Sequence, residues 1–123
     1  MAKKILIIED LPALANALHD KFNHEGFETI HASNGLEGLE MIESEKPDLI
    51  LLDIIMPKMD GLTMIKELRQ KDPNNAIPII ILTNLTDSDA VFNSMESGIT
   101  DYLVKADWSL EDVVKKVKEK LGI

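Results

Sequence analysis

The sequence predicts a single α/β domain built as an open, doubly wound sheet of parallel strands with helices on both faces. Three observations carry that prediction. Apolar runs of strand length alternate with stretches of helical period about five times along the chain. The runs Ile5-Leu6-Ile7-Ile8, Leu49-Ile50-Leu51-Leu52 and Ile79-Ile80-Ile81-Leu82 are continuous rather than alternating, as strands covered on both faces are. At 123 residues with no cysteine, the chain is long enough to bury one core without covalent staples. Strict strand–helix alternation in so short a chain implies right-handed crossovers and a parallel sheet.

The first strand runs from Lys4 to Glu9 and ends on an acid pair, Glu9-Asp10. Leu14, Leu18 and Phe22 then share a helix face, which Gly26 stops. A second strand covers Phe27 to Ala32. Gly35-Leu36-Glu37-Gly38 lacks the glycine spacing of a phosphate loop and reads as a helix start, with Leu36, Leu39 and Ile42 as its apolar face. The third strand, Asp48 to Asp53, closes on a carboxylate. Leu62, Ile65 and Leu68 mark the next helix, and Asp72-Pro73-Asn74-Asn75 is turn chemistry. Ile77 to Thr83 and Asp101 to Lys105 are the fourth and fifth strands, separated by a helical region with Phe92 and Met95 and a stop at Gly98. These two residues and Trp108 read as packing residues, although an exposed apolar residue there would mark a partner surface. The last helix is the clearest: Leu110, Val113, Val114, Val117 and Leu121 follow helical spacing, and Ser109 with Asp112 resembles a capping box.

Composition narrows the function classes. A formal net charge of −9 repels nucleic-acid phosphates and anionic lipid, leaving proteins as the expected partners. The absence of cysteine removes thiolate chemistry and favours a reducing compartment. No apolar run approaches the roughly 20 residues of a membrane-spanning helix, and the N-terminus lacks a signal pattern, so a cytoplasmic location is expected. His19, His24 and His31 have no convergent metal spacing and read as surface residues.

In a doubly wound sheet, ligands bind at the carboxyl ends of the strands. The residues there are Glu9-Asp10, Asp53, Thr83 and Lys105. Singly they have ordinary readings: the acid pair could cap the first helix ahead of Pro12, Thr83 could be a plain strand residue, and Lys105 a solvated charge. Asp53 is harder to place so, because a carboxylate ending an apolar core strand needs solvation, pairing or a metal. Three carboxylates at one rim repel each other unless a cation intervenes, and the oxygen-only donor set suits Mg²⁺. In that arrangement Asp53 is a nucleophile that forms an aspartyl phosphate, with Lys105 and Thr83 donating to phosphoryl oxygens.

These residues, and the stretch Asp53-Ile54-Ile55-Met56-Pro57-Lys58-Met59-Asp60-Gly61 above all, closely resemble the receiver domain of two-component response regulators, the family that includes the free-standing chemotaxis regulator. The resemblance covers the whole chain. It implies a flavodoxin-like, five-stranded sheet of order 2-1-3-4-5, with Asp53 as phosphoacceptor and Glu9, Asp10, Asp53 and the Ile55 carbonyl on Mg²⁺. It also implies phosphoryl contacts from Thr83, Asn84 and Lys105, and a switch pair of Thr83 and Tyr102. The donor would be a phosphohistidine on a sensor kinase or phosphotransfer protein, and the chain would assist its own phosphorylation and dephosphorylation. The output would be a phosphorylation-dependent protein-binding surface around the fourth helix, fifth strand and fifth helix. No output domain is expected after Ile123.

Some positions depart from the family pattern. Ala106 stands where proline usually follows the lysine; a cis Lys105–Ala106 bond would cost about 3 kcal/mol, yet would aim the lysine. Asn84 is larger than the usual residue. Ile55 and Leu85 are apolar where relatives can carry water-orienting groups, which implies slow hydrolysis of the aspartyl phosphate. A magnesium-dependent aspartyl phosphatase is the competing enzyme reading, but the first strand is not followed by that class's Asp-x-Asp pair. An inert scaffold would have been favoured by loss of Asp53, Thr83 or Lys105, and all are present.

Overall fold

The computed structural model describes residues 2–53, 67, 68, 70, 77–83, 101–104 and 109–123, with strand residues 53, 81–83 and 101–104 taken through their backbone. In chain order these residues form β1 (Lys4–Ile8), α1 (Pro12–His24), β2 (Glu28–Ala32), α2 (Gly35–Glu45), β3 (Leu49–Asp53), β4 (Ile79–Thr83), β5 (Asp101–Val104) and α3 (Leu110–Leu121). The strands pair in parallel in the order β2-β1-β3-β4-β5, the order expected. Strand limits differ from the sequence reading by a residue or two. The ladder nevertheless runs past β1, because the Glu9 amide donates to the Ala32 carbonyl at 3.1 Å.

The continuous apolar strands are explained by a core on each face. Leu6, Ile8, Ile50, Leu52 and Ile79 pack on one side with Ala32, with Ile42 of α2, and with Leu68. Ile5, Ile7, Leu49, Leu51 and Ile80 pack on the other with Leu18 and Phe22 of α1, Phe27, and Val113, Val114 and Val117 of α3. Phe22 and Phe27 meet edge to face at 5.3 Å between centroids, the geometry favoured by the ring quadrupoles. Alternation of side chains along a strand sends neighbouring residues to opposite layers, so every residue of a central strand must be apolar.

Local chemistry sets the helix ends. At the start of α2, Asn34 Oδ1 accepts from the Glu37 amide at 3.0 Å and its Nδ2 donates to Glu37 Oε2 at 2.9 Å. The capping box at α3 is present: the Ser109 amide donates to Asp112 Oδ2 at 2.8 Å, and the Asp112 amide to Ser109 Oγ at 3.3 Å. Gly26 stops the first helical segment at φ 92°, where only glycine is unstrained, whereas α2 ends on Lys46 at φ 48°. Lys21 of α1 ties that helix to α3 through Glu111 and also faces Glu25 at 3.8 Å. The Glu111 hydrogen bond is the main reason its ammonium is held above the ordinary lysine range.

One sequence reading is corrected and one open alternative is excluded. Leu36 does not share the apolar face of α2: it is 50% exposed, while Gly35, Gly38 and Ile42 are buried and Leu39 packs against the core. Steps of three residues drift around a helix of 3.6 residues per turn, so Leu36 and Ile42 fall on different sides. Asp10 does not cap α1 either. The N-cap is Leu11, without a side-chain cap bond, and Pro12 takes the first helical position. Expectations for Leu62, Ile65, Asp72 to Asn75, Phe92, Met95, Gly98 and Trp108 lie outside the described residues.

Candidate functional site at the carboxyl edge of the sheet

Parallel strands present all their carboxyl ends at one edge, and the observed register aligns those ends closely. Ile8 of β1 pairs with Leu52 of β3, so the next positions, Glu9 and Asp53, stand side by side on neighbouring strands. On the other flank, Asp53 pairs with Leu82, and Thr83 ends β4 opposite Val104 of β5. Tyr102 lies in β5 opposite Ile81. The backbone thereby gathers Glu9, Asp10, Asp53 and Thr83 at one rim from three adjacent strands. Ile55, Asn84, Leu85, Lys105 and Ala106 lie outside the described residues, so the Lys105–Ala106 peptide geometry belongs there as well.

Glu9 is the unusual member of the described set. Its side chain is 1% exposed, one of two buried polar residues among those described. A carboxylate so enclosed requires compensating donors or a cation. One donor is the Leu11 amide, 3.2 Å from Oε1 at the start of α1, where the positive end of the helix dipole also favours negative charge. Asp10, the next residue, is half-buried. Together they provide hard oxygen donors beside the strand end that carries Asp53, a set suited to a small divalent cation that retains several waters. Among the described side chains, which do not include that of Asp53, no three acidic or histidine groups converge.

From the sequence alone His31 reads only as a surface histidine. It is exposed, but its Nε2 donates to the Glu9 carbonyl at 2.8 Å, which places its hydrogen on that nitrogen. Pairing with Ile7 in the register puts His31 one turn of the pleat below the rim, and no periodicity or spacing rule would have revealed this reach. His19 is also engaged: its Nε2 lies 3.0 Å from Asn23 Nδ2, and its Nδ1 meets Thr29 Oγ1, joining α1 to β2.

Comparison with known proteins agrees with the fold. Residues 5–118 match the family model described as the response regulator receiver domain. The sporulation initiation phosphotransferase F of Bacillus subtilis is 36% identical over 123 residues, covering 100% of this chain and 97% of that protein. The alkaline phosphatase synthesis transcriptional regulatory protein PhoP of the same organism is 37% identical over 96% of this chain but only 48% of its own length. The chain thus spans nearly all of one curated relative and about half of the transcriptional regulators it matches. Among solved structures, a response regulator receiver domain protein from Methanospirillum hungatei superposes with a TM-score of 0.90 at 30% identity, covering 99% of this chain and 95% of that one.

Proposed function

The chain belongs to the response regulator receiver domain family of two-component signalling, and from that premise we propose that Asp53 is the phosphoacceptor of a phosphorylation-activated switch. The observation that carries this assignment is the register: Asp53 ends a core strand directly beside the buried Glu9 and its neighbour Asp10. Glu9, Asp10, Asp53 and the Ile55 carbonyl are the oxygen donors that would hold Mg²⁺. When bound, the ion neutralises charge on the transferring phosphoryl group.

The protein's own groups account for the rest of the reaction. A carboxylate oxygen of Asp53 attacks the phosphorus of a phosphohistidine; the O–P bond forms as the P–N bond breaks, and the imidazole leaves with a proton. Thr83, Asn84 and Lys105 donate to phosphoryl oxygens, Lys105 also offsetting their charge. Thr83 and Tyr102 form the switch that reports occupancy to a partner-binding surface, a shift between two populated states. The phosphoryl donor is a histidine kinase or phosphotransfer protein, and the output is a separate protein that prefers the phosphorylated form. The same groups assist transfer to and hydrolysis from Asp53. Among the described residues no helix is long and apolar enough to cross a membrane.

The test is incubation with a small phosphoryl donor and Mg²⁺, followed by intact mass measurement. Wild type is expected to gain one phosphoryl group and Asp53→Ala none. Equal gain in both proteins would place the acceptor elsewhere and overturn the assignment.

A further inference from the structure

We infer that His31 is a positioning residue for the metal-binding acid pair, acting through the peptide that joins Glu9 to Asp10. This rests on the proposed role of those two residues. The carbonyl oxygen that His31 Nε2 binds at 2.8 Å belongs to that peptide, so the hydrogen bond sets the rotation of the unit from which Asp10 departs.

Three contacts fix the turn. The Glu9 amide donates to the Ala32 carbonyl at 3.1 Å, the rung that continues the β1–β2 ladder past Ile8. The Glu9 carboxylate reaches forward to the Leu11 amide at 3.2 Å. Between these, β2 has ended at Ala32, and the imidazole of His31 reaches the Glu9 carbonyl from the edge strand. The turn carries Glu9, which is wholly enclosed, and Asp10, which is only half-buried and has more rotational freedom. Holding the intervening peptide therefore limits the directions available to the Asp10 carboxylate before any ion arrives. Preorganised donors bind more tightly because less ordering remains to be done on binding. In metal sites, groups behind the ligands commonly contribute in this way.

His31 lies outside both core clusters and is exposed, so its substitution removes the hydrogen bond without opening a cavity. Glutamine can present a side-chain N–H to the same carbonyl; alanine cannot. Calorimetric titration of MgCl₂ into the whole protein separates the possibilities, with Asp10→Asn reporting on the acid pair itself. His31→Ala is expected to weaken Mg²⁺ binding about threefold to tenfold, the usual range for one lost hydrogen bond, and His31→Gln to recover affinity to within about twofold. A merely structural role would lower the melting temperature of His31→Ala and leave its Mg²⁺ affinity unchanged. If wild type binds Mg²⁺, Asp10→Asn binds it weakly and His31→Ala matches wild type, the positioning role is overturned while the site stands. A glutamine variant as weak as alanine would overturn the hydrogen bond as the cause. If wild type binds no Mg²⁺, or Asp10→Asn matches it, the reading of the acid pair fails and the inference falls with it.

Discussion

Replacing Asp53 by asparagine removes one negative charge from a rim where Glu9 is 1% exposed and Asp10 half-buried. Because Ile8 pairs with Leu52, Glu9 and Asp53 follow on adjacent strands, whose backbones lie about 4.8 Å apart. Like charges carried on neighbouring strand ends repel by up to about 3 kcal/mol at an effective dielectric of about 20, and water and salt at the rim reduce this to about 1.5 kcal/mol. The metal-free variant should therefore be more stable than wild type by about 1.5 kcal/mol, or about 6 °C in melting temperature for a domain of this size. Mg²⁺ should reverse the order of response. At about ten times its dissociation constant it stabilises wild type by about 1.4 kcal/mol, and the variant by much less. Thermal unfolding followed by circular dichroism, in chelator and then in Mg²⁺, measures both effects. An asparagine variant that melts below wild type in chelator, or that gains as much from Mg²⁺, would refute the electrostatic account of the rim.

Other expectations follow from particular contacts. Lys21→Met should lower stability near neutral pH, because the raised Lys21 ammonium is held chiefly by Glu111. A folded-state pKa above the ordinary 10.5 means that this contribution is complete below that value and is lost as pH rises through the folded one, so urea midpoints of the two proteins should converge at strongly alkaline pH. A constant gap would show that charge is not the cause. Asn34→Ala removes the α2 cap and leaves Glu37 without the amide donor at 2.9 Å, an expected loss of about 1 to 2 kcal/mol in chemical denaturation; no measurable loss would show that α2 does not depend on this cap. Ile55→Asn combined with Leu85→Glu should shorten the aspartyl phosphate lifetime about tenfold or more by orienting the attacking water, as read from decay in Mg²⁺. An unchanged lifetime would dissociate those positions from the hydrolysis rate.

Much of the fold was legible in the linear chain. Continuous runs such as Leu49 to Leu52 can be satisfied only by cover on both faces, and the two core clusters provide it. The Ser109–Asp112 cap was equally readable, since its partners are three residues apart and interact within one turn. Leu36 was misplaced because three-residue spacing over a short helix does not settle which side faces the sheet, and only the docking of α2 on Ile42 does so. The sequence leaves open whether the acid pair caps the first helix, since aspartate is favoured there; the structure puts the N-cap one residue later, at Leu11.

The sequence by itself determined the chemistry offered at the rim. Glu9-Asp10, Asp53 and Thr83 each follow an apolar run, and a parallel sheet must bring the ends of such runs to one edge. Only the tertiary structure decided which of those ends are neighbours. The register that sets Glu9 beside Asp53, the enclosure of Glu9, and the reach of His31 to the Glu9 carbonyl depend on strand order and on contacts across long stretches of sequence. Local patterns encode which way a side chain faces within its own element; they do not encode which element lies beside it.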